Sequence, residues 1–132
     1  MNNIETTKLL STAKEAQKHA QAKYSNFRVG AALLTEDNEI ITGCNVESSS
    51  YSLTICAERV ALTKALSEGK TAFKAIAICA SNNEFCPPCG ACRQLLYDYA
   101  QNIDVILTDN KTIKKIKLKE LLPLAFGSNH LE

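Results

Sequence analysis

The stretch Ala75-Ile76-Ala77-Ile78-Cys79 is apolar at every position and offers no side for water to face. So short and so uniform a run suits a strand covered on both faces. Helical patterns flank it. Before it, Val60, Ala61, Leu62, Ala65 and Leu66 recur at helical spacing up to Gly69, with Thr54 the expected N-cap. After it, a helix is expected from Cys89 to about Ala100, leading into Ile103-Asp104-Val105-Ile106-Leu107. Further upstream, Phe27 to Leu34 and Glu39 to Val46 flank Glu36-Asp37-Asn38, the pattern of two strands joined by a hairpin turn. Strand, helix, strand, helix, strand in succession implies an α/β chain with a parallel arrangement.

Two outer segments complete the plan. Leu9, Leu10, Ala13, Ala16 and Ala20 lie three and four residues apart, which predicts an amphipathic helix from Glu5 to Ala22. Thr112 to Leu118 reads as an edge strand, and the five lysines between Lys111 and Lys119 suit a solvated edge that discourages pairing with another chain. The 132 residues fit one domain, 1–132, with no internal repeat, low-complexity tract or linker.

Charge and cysteine content narrow the function. A net charge of +1 carries no electrostatic footprint for a phosphate backbone or an anionic membrane, so neither nucleic acid nor membrane is an expected partner. The start Met1-Asn2-Asn3-Ile4-Glu5 has neither a basic run nor an apolar stretch, and no segment approaches the ~20 apolar residues of a spanning helix, so a cytoplasmic location is expected. In that compartment the six cysteines are reduced thiols, metal ligands or redox groups.

Three of them recur every third residue. Cys89-Gly90-Ala91-Cys92 is a C-x-x-C unit, and Cys86-Pro87-Pro88-Cys89 overlaps it where a helix is expected to begin. Cys56 also falls near a helix start. Helix N-termini carry partial positive charge and free N–H groups, which stabilise thiolates, so one zinc between two helix tips fits. A fourth sulfur would close such a site and make it structural, whereas three ligands leave room for reactive water. Cys86 is the available fourth ligand, but Pro87 and Pro88 favour an extended path that carries it away. Cys44 and Cys79, in apolar strands, read as buried small side chains. Glu58 follows Cys56 by two residues and reaches the same site only if that site lies off the helix end; a carboxylate there can serve as general base and acid, or can simply be a solvated first-turn Glu.

Cys56-Ala57-Glu58 followed by Pro88-Cys89-Gly90-Ala91-Cys92 resembles the three-cysteine form of the zinc deaminase signature, a ligand, a spacer and Glu, then Pro-Cys-x-x-Cys. The similarity continues in Phe27-Arg28-Val29-Gly30-Ala31-Ala32-Leu33, in Gly43-Cys44-Asn45-Val46-Glu47, in Tyr51 to Arg59 and in Cys92-Arg93-Gln94, with Leu121-Leu122-Pro123 ahead of Phe126 as the closing segment. In order and spacing these resemble the small cytidine deaminases, although Ser52 stands where many relatives are expected to have Gly.

That resemblance implies a three-layer α/β/α sandwich around a mixed, mostly parallel sheet of about five strands. It implies one zinc per subunit on Cys56, Cys89 and Cys92, and Glu58 as the proton shuttle in the hydrolysis of cytidine and deoxycytidine to uridine and deoxyuridine, a pyrimidine salvage reaction. It further implies Asn45 and Glu47 on the ribose hydroxyls, Phe27 against the base, Tyr51 near the sugar and Ala57 in the substrate pocket. A homotetramer with shared sites follows, Phe126 closing an adjacent subunit's pocket. Three thiolates would leave excess negative charge on zinc, which Arg59 and Arg93 are placed to offset; Gln94 belongs to the same surrounding layer. Glu47 would repel a phosphate, so a free nucleoside is the expected substrate.

Three other readings remain open on the residues. One is a zinc-stapled interaction module closed by Cys86. Another is a redox protein using C-x-x-C, which leaves Cys56-Ala57-Glu58 unexplained. The last is a deaminase of a nucleoside antibiotic, free cytosine or RNA; the missing basic groove counts against RNA, and Glu47 counts against a base with no sugar.

Overall fold

The computed structural model describes residues 1–131. Helix α1 (Asn3–Gln17) begins at a capping box: the Asn2 side chain accepts from the Glu5 N–H at 2.8 Å, and the Glu5 carboxylate accepts from the Asn2 N–H at 3.2 Å. It ends five residues before Ala22. Lys18, His19 and Ala20 each donate three residues back, which tightens and closes the last turn, and Gln21 then bridges to Val46.

Strands β1 (Val29–Thr35) and β2 (Ile40–Cys44) form the expected hairpin, with Asn38 in the left-handed region at φ 68° to close the turn. Helix α2 (Ala57–Ser67) leads through Gly69, at φ 85°, into β3 (Phe73–Ala80). The chain continues as α3 (Gly90–Ala100), β4 (Asp104–Thr108), β5 (Ile113–Lys117) and the one-turn α4 (Leu118–Leu121).

The five strands make one sheet in the order β2-β1-β3-β4-β5. Side chains alternate along β3, so Ala75, Ala77 and Cys79 meet Leu9, Leu10 and Ala13 of α1 on one face. Ile76, Ile78 and Ala80 join Ala61, Leu62 and Leu96 of α2 and α3 on the other. Three layers and a mixed five-stranded sheet agree with the expectation from sequence. The pairing does not: only β3 and β4 are parallel neighbours, while β1–β2, β1–β3 and β4–β5 are antiparallel. The hairpin is the reason. Because β1 lies inside it, β1 separates β2 from β3, and two strands that point the same way never touch.

That shared direction positions everything that follows. With β2, β3 and β4 codirectional, the helices after β2 and β3 start at the same end of the sheet. Gly43 sets how closely α2 approaches: a Cβ there would stand 2.4 Å from the Ala57 carbonyl and 2.5 Å from the Ala61 nitrogen, so only glycine lets the helix lie directly on β2. Strand β5 forms the far edge and keeps its lysines in solvent, with Lys117 Nζ 3.0 Å from Asp104.

Candidate active site

Cys56 is the N-cap of α2 and Cys89 the N-cap of α3, and neither side chain spends itself on a capping hydrogen bond. The expected cap Thr54 instead accepts from the Ser48 N–H at 3.2 Å, which leaves the helix tip to a sulfur. Cys92 lies in the first turn of α3. The Cys56 and Cys89 sulfurs are 3.8 Å apart, those of Cys89 and Cys92 3.4 Å, and all three fall within 4.8 Å of one another. Sulfurs about 2.3 Å from a tetrahedral zinc lie about 3.8 Å from each other, so this donor set fits that ion. Cys86 lines the adjoining cavity but stands outside the three-thiol group, so the structure brings three sulfurs together and not four.

The Cys56 thiol is strongly acidified. A hydrogen bond from the Cys92 thiol, then the Arg59 guanidinium and the Cys89 thiol, hold it well below the ordinary thiol range. The same contact with Cys56, together with burial, keeps the Cys92 proton on. Arg59 Nη2 donates to Cys56 Sγ at 3.8 Å and to the Thr54 carbonyl at 3.3 Å; its buried Nε has no partner among the described residues. Burial pushes the Cys86 thiol up to about 11.

Glu58 is 4% exposed. Its place in the first turn of α2, off the end of which the sulfurs gather, lets it share their cavity although it lies only two residues beyond Cys56. Burial, reinforced by the negative charge on Cys56, raises its carboxyl to about 7. A group so poised can take and return a proton near neutrality.

The cavity has a volume of about 440 Å³. Phe27, Asn45 and Glu47 line it together with Cys56, Ala57, Glu58 and Cys89. Asn45 is 7% exposed and ties the entry of β1: its Oδ1 accepts from the Val29 N–H at 2.9 Å and its Nδ2 donates to the Phe27 carbonyl at 2.8 Å. Glu47 accepts from the N–H groups of Tyr24 and Ser25 at 3.0 and 3.1 Å and from the Ser25 hydroxyl, whose hydrogen bond most lowers its carboxyl from the ordinary value. A neighbouring hollow of about 400 Å³ shares Ser25, Glu47 and Thr54 and adds Tyr51.

Four of the residues singled out in the sequence lie elsewhere. Tyr51, 77% exposed, faces that neighbouring hollow and not the thiols. Phe126, 55% exposed, stacks on His130 with ring centres 5.3 Å apart and is not part of the cavity wall. Arg93 reaches no sulfur: Nε donates to the Pro88 carbonyl at 2.7 Å and Nη1 to the Leu121 carbonyl at 2.8 Å, tying the loop before Cys89 to α4. Gln94 donates to the Phe126 carbonyl at 2.9 Å and anchors the closing segment. Conversely, Ser25 and Thr54 line the cavity although the sequence marks neither as a site residue, Thr54 being expected only as a helix cap. Small hydroxyl residues in turns are too common to stand out.

The comparisons agree with this geometry. The family model for the cytidine and deoxycytidylate deaminase zinc-binding region matches residues 4–107. A probable cytidine deaminase of Dictyostelium discoideum is 44% identical over 132 residues, covering 99% of this chain and 90% of that protein. A cytidine deaminase of Sporosarcina psychrophila is 44% identical over 130 residues, covering 97% and 96%. The crystal structure of cytidine deaminase from Burkholderia pseudomallei superposes with a TM-score of 0.88 at 42% identity, covering 96% of this chain and all of that one. Sequence, fold and the clustered thiols therefore converge, and the chain belongs to the cytidine and deoxycytidylate deaminase family.

Proposed function

We propose that this chain hydrolyses cytidine and deoxycytidine, water replacing the ring amino group to give uridine or deoxyuridine and ammonia. One observation carries the reading: a buried carboxyl, Glu58, opens onto the same cavity as the sulfurs of Cys56 and Cys89. Cys56, Cys89 and Cys92 are the residues to hold zinc, which when bound supplies Lewis acidity that lets water act as a nucleophile near neutral pH.

Glu58 takes a proton from the attacking water, delivers one to the ring nitrogen beside the reacting carbon, and then helps the amino group depart as ammonia. Arg59 offsets the charge that builds up on the sulfurs through its contact with Cys56. Phe27 lies against the base. Ala57 opens α2 and lines the cavity, at a helix start where backbone N–H groups have no helical partner. The sugar hydroxyls bind at Glu47 and at the Nδ2 hydrogen of Asn45 that Phe27 leaves free. A carboxylate in that place disfavours phosphate, so the substrate is the free nucleoside. Net charge +1 likewise favours a small neutral ligand over nucleic acid.

The working assembly is a homotetramer. Tyr51 and Phe126 are exposed and absent from their own subunit's cavity wall, which suits side chains that complete a neighbour's site. Among the described residues no helix is long and apolar enough to cross a membrane, and all six cysteines are free thiols, which suits the reducing cytoplasm.

The purified protein should convert cytidine to uridine, followed by the loss of cytidine absorbance and by ammonia release, and a strong chelator should abolish this until zinc is restored. Unchanged turnover after the metal has been stripped and verified absent would refute the reading.

A further inference from the structure

Tyr24 to Phe27 wraps around the Glu47 carboxylate. The Tyr24 and Ser25 N–H groups and the Ser25 hydroxyl all donate to it, one oxygen taking both N–H groups and the other the hydroxyl. The Ser25 hydroxyl oxygen in turn accepts from the Phe27 N–H at 3.0 Å. Between them Asn26 adopts φ 57°, a left-handed conformation that asparagine tolerates, and its N–H returns to the Ala22 carbonyl at 2.8 Å. One hydroxyl thus joins the carboxylate on one wall of the cavity to the backbone of the aromatic residue on the same wall.

We infer that Ser25 is a positioning residue for nucleoside binding: it fixes the Glu47 carboxylate toward the sugar and couples that placement to Phe27. This rests on the proposed function, in which Glu47 meets the sugar and Phe27 the base. The chemistry favours such a role. A carboxylate with both oxygens already held by three donors is fully ionised and rotationally fixed, and its remaining lone pairs point in set directions. A sugar hydroxyl then finds its acceptor already oriented and loses less entropy on binding. Without the Ser25 hydroxyl, Glu47 keeps its two backbone donors on one oxygen only, and its second oxygen is free to turn. Ser25 touches neither the thiols nor Glu58, so the chemical step should be spared.

The test is steady-state kinetics of Ser25→Ala, Ser25→Thr and Glu47→Gln in the zinc-loaded full chain. Ser25→Ala should raise KM for cytidine on the order of tenfold with kcat within about twofold, and Ser25→Thr, which keeps the hydroxyl, should restore KM. The inhibition constant of 2′,3′-dideoxycytidine, which lacks both ring hydroxyls but keeps the base that meets Phe27, should rise far less in Ser25→Ala than KM for cytidine does. A merely structural role would weaken both ligands alike. Should Ser25→Ala unfold at a lower temperature, Ser25→Cys, of similar size but a weak donor, must raise KM in the same way. If Glu47→Gln raises KM and Ser25→Ala does not, or if both ligands weaken equally, the inference falls while the function stands. If the parent releases no ammonia from cytidine, or Glu47→Gln leaves KM unchanged, the reading beneath it falls as well.

Discussion

Glu58 combines burial with an ionisable group, two properties that oppose each other, and the consequence is measurable without substrate. In the metal-free chain its carboxyl titrates at about 7, against 4.5 when exposed. Between those values the folded state holds a proton that the unfolded state has released, so this group's contribution to stability falls as pH rises through the window. Below 4.5 both states are protonated and nothing is lost; above 7 the loss is complete, about 3 kcal/mol. Gln cannot titrate. Urea unfolding of the metal-free proteins should therefore show Glu58→Gln gaining up to ~3 kcal/mol on the parent between pH 4.5 and 7.5. A gap that stays constant with pH would mean that Glu58 is not held in a desolvated place. The residues alone left this group open; what made it legible beforehand is the resemblance of Cys-Ala-Glu and Pro-Cys-x-x-Cys to the zinc deaminase signature. Arg93, Gln94 and Ser25 were less legible because their hydrogen-bond partners are distant in sequence or lie on the backbone: the Leu121 and Phe126 carbonyls, the Glu47 carboxylate and the Phe27 amide. Spacing encodes none of these.

The site exists because two helix tips meet, and their meeting depends on how α2 lies on β2. Gly43 is the contact that decides it, with Ala57, between Cys56 and Glu58, directly above. Gly43→Ala should cost about 1–3 kcal/mol through overpacking. It should also lower kcat/KM on the order of a hundredfold, because a displacement approaching 1 Å at α2 moves both a sulfur and the proton shuttle. Thermal unfolding and kinetics on one preparation check both; normal kinetics in a destabilised variant would show that α2 shifts without moving the site. The elements themselves were readable: the hairpin, the buried β3 and the helix after Cys89 all form where the apolar patterns lie. Their neighbours were not. A hairpin can offer either of its strands to the next one, and only packing against α1 and α2 puts β1 inside. The cap of α2 moved from Thr54 to Cys56 for a related reason, since Thr54 answers to Ser48 across a loop.

At the scale of the whole molecule the sheet supplies a common end for two helix starts, the two helices supply the sulfurs and the acid, and Ser25, Phe27 and Glu47 complete the lining of the same cavity. Arg93 and Gln94 tie this centre to the C-terminal segment that carries Phe126, so the surface that the proposed tetramer would use is fixed from the same helix that carries Cys92. The thiol cluster, the acid and the proposed assembly surface therefore depend on one packing arrangement. The most direct test separates the acid from the rest: turnover of cytidine by Glu58→Gln, measured on protein that contains one zinc per subunit and has the circular dichroism spectrum of the parent. The expected result is a fall in kcat on the order of a thousandfold or more, with zinc content unchanged. Turnover within tenfold of the parent would contradict the assignment of Glu58 as the group that moves the protons.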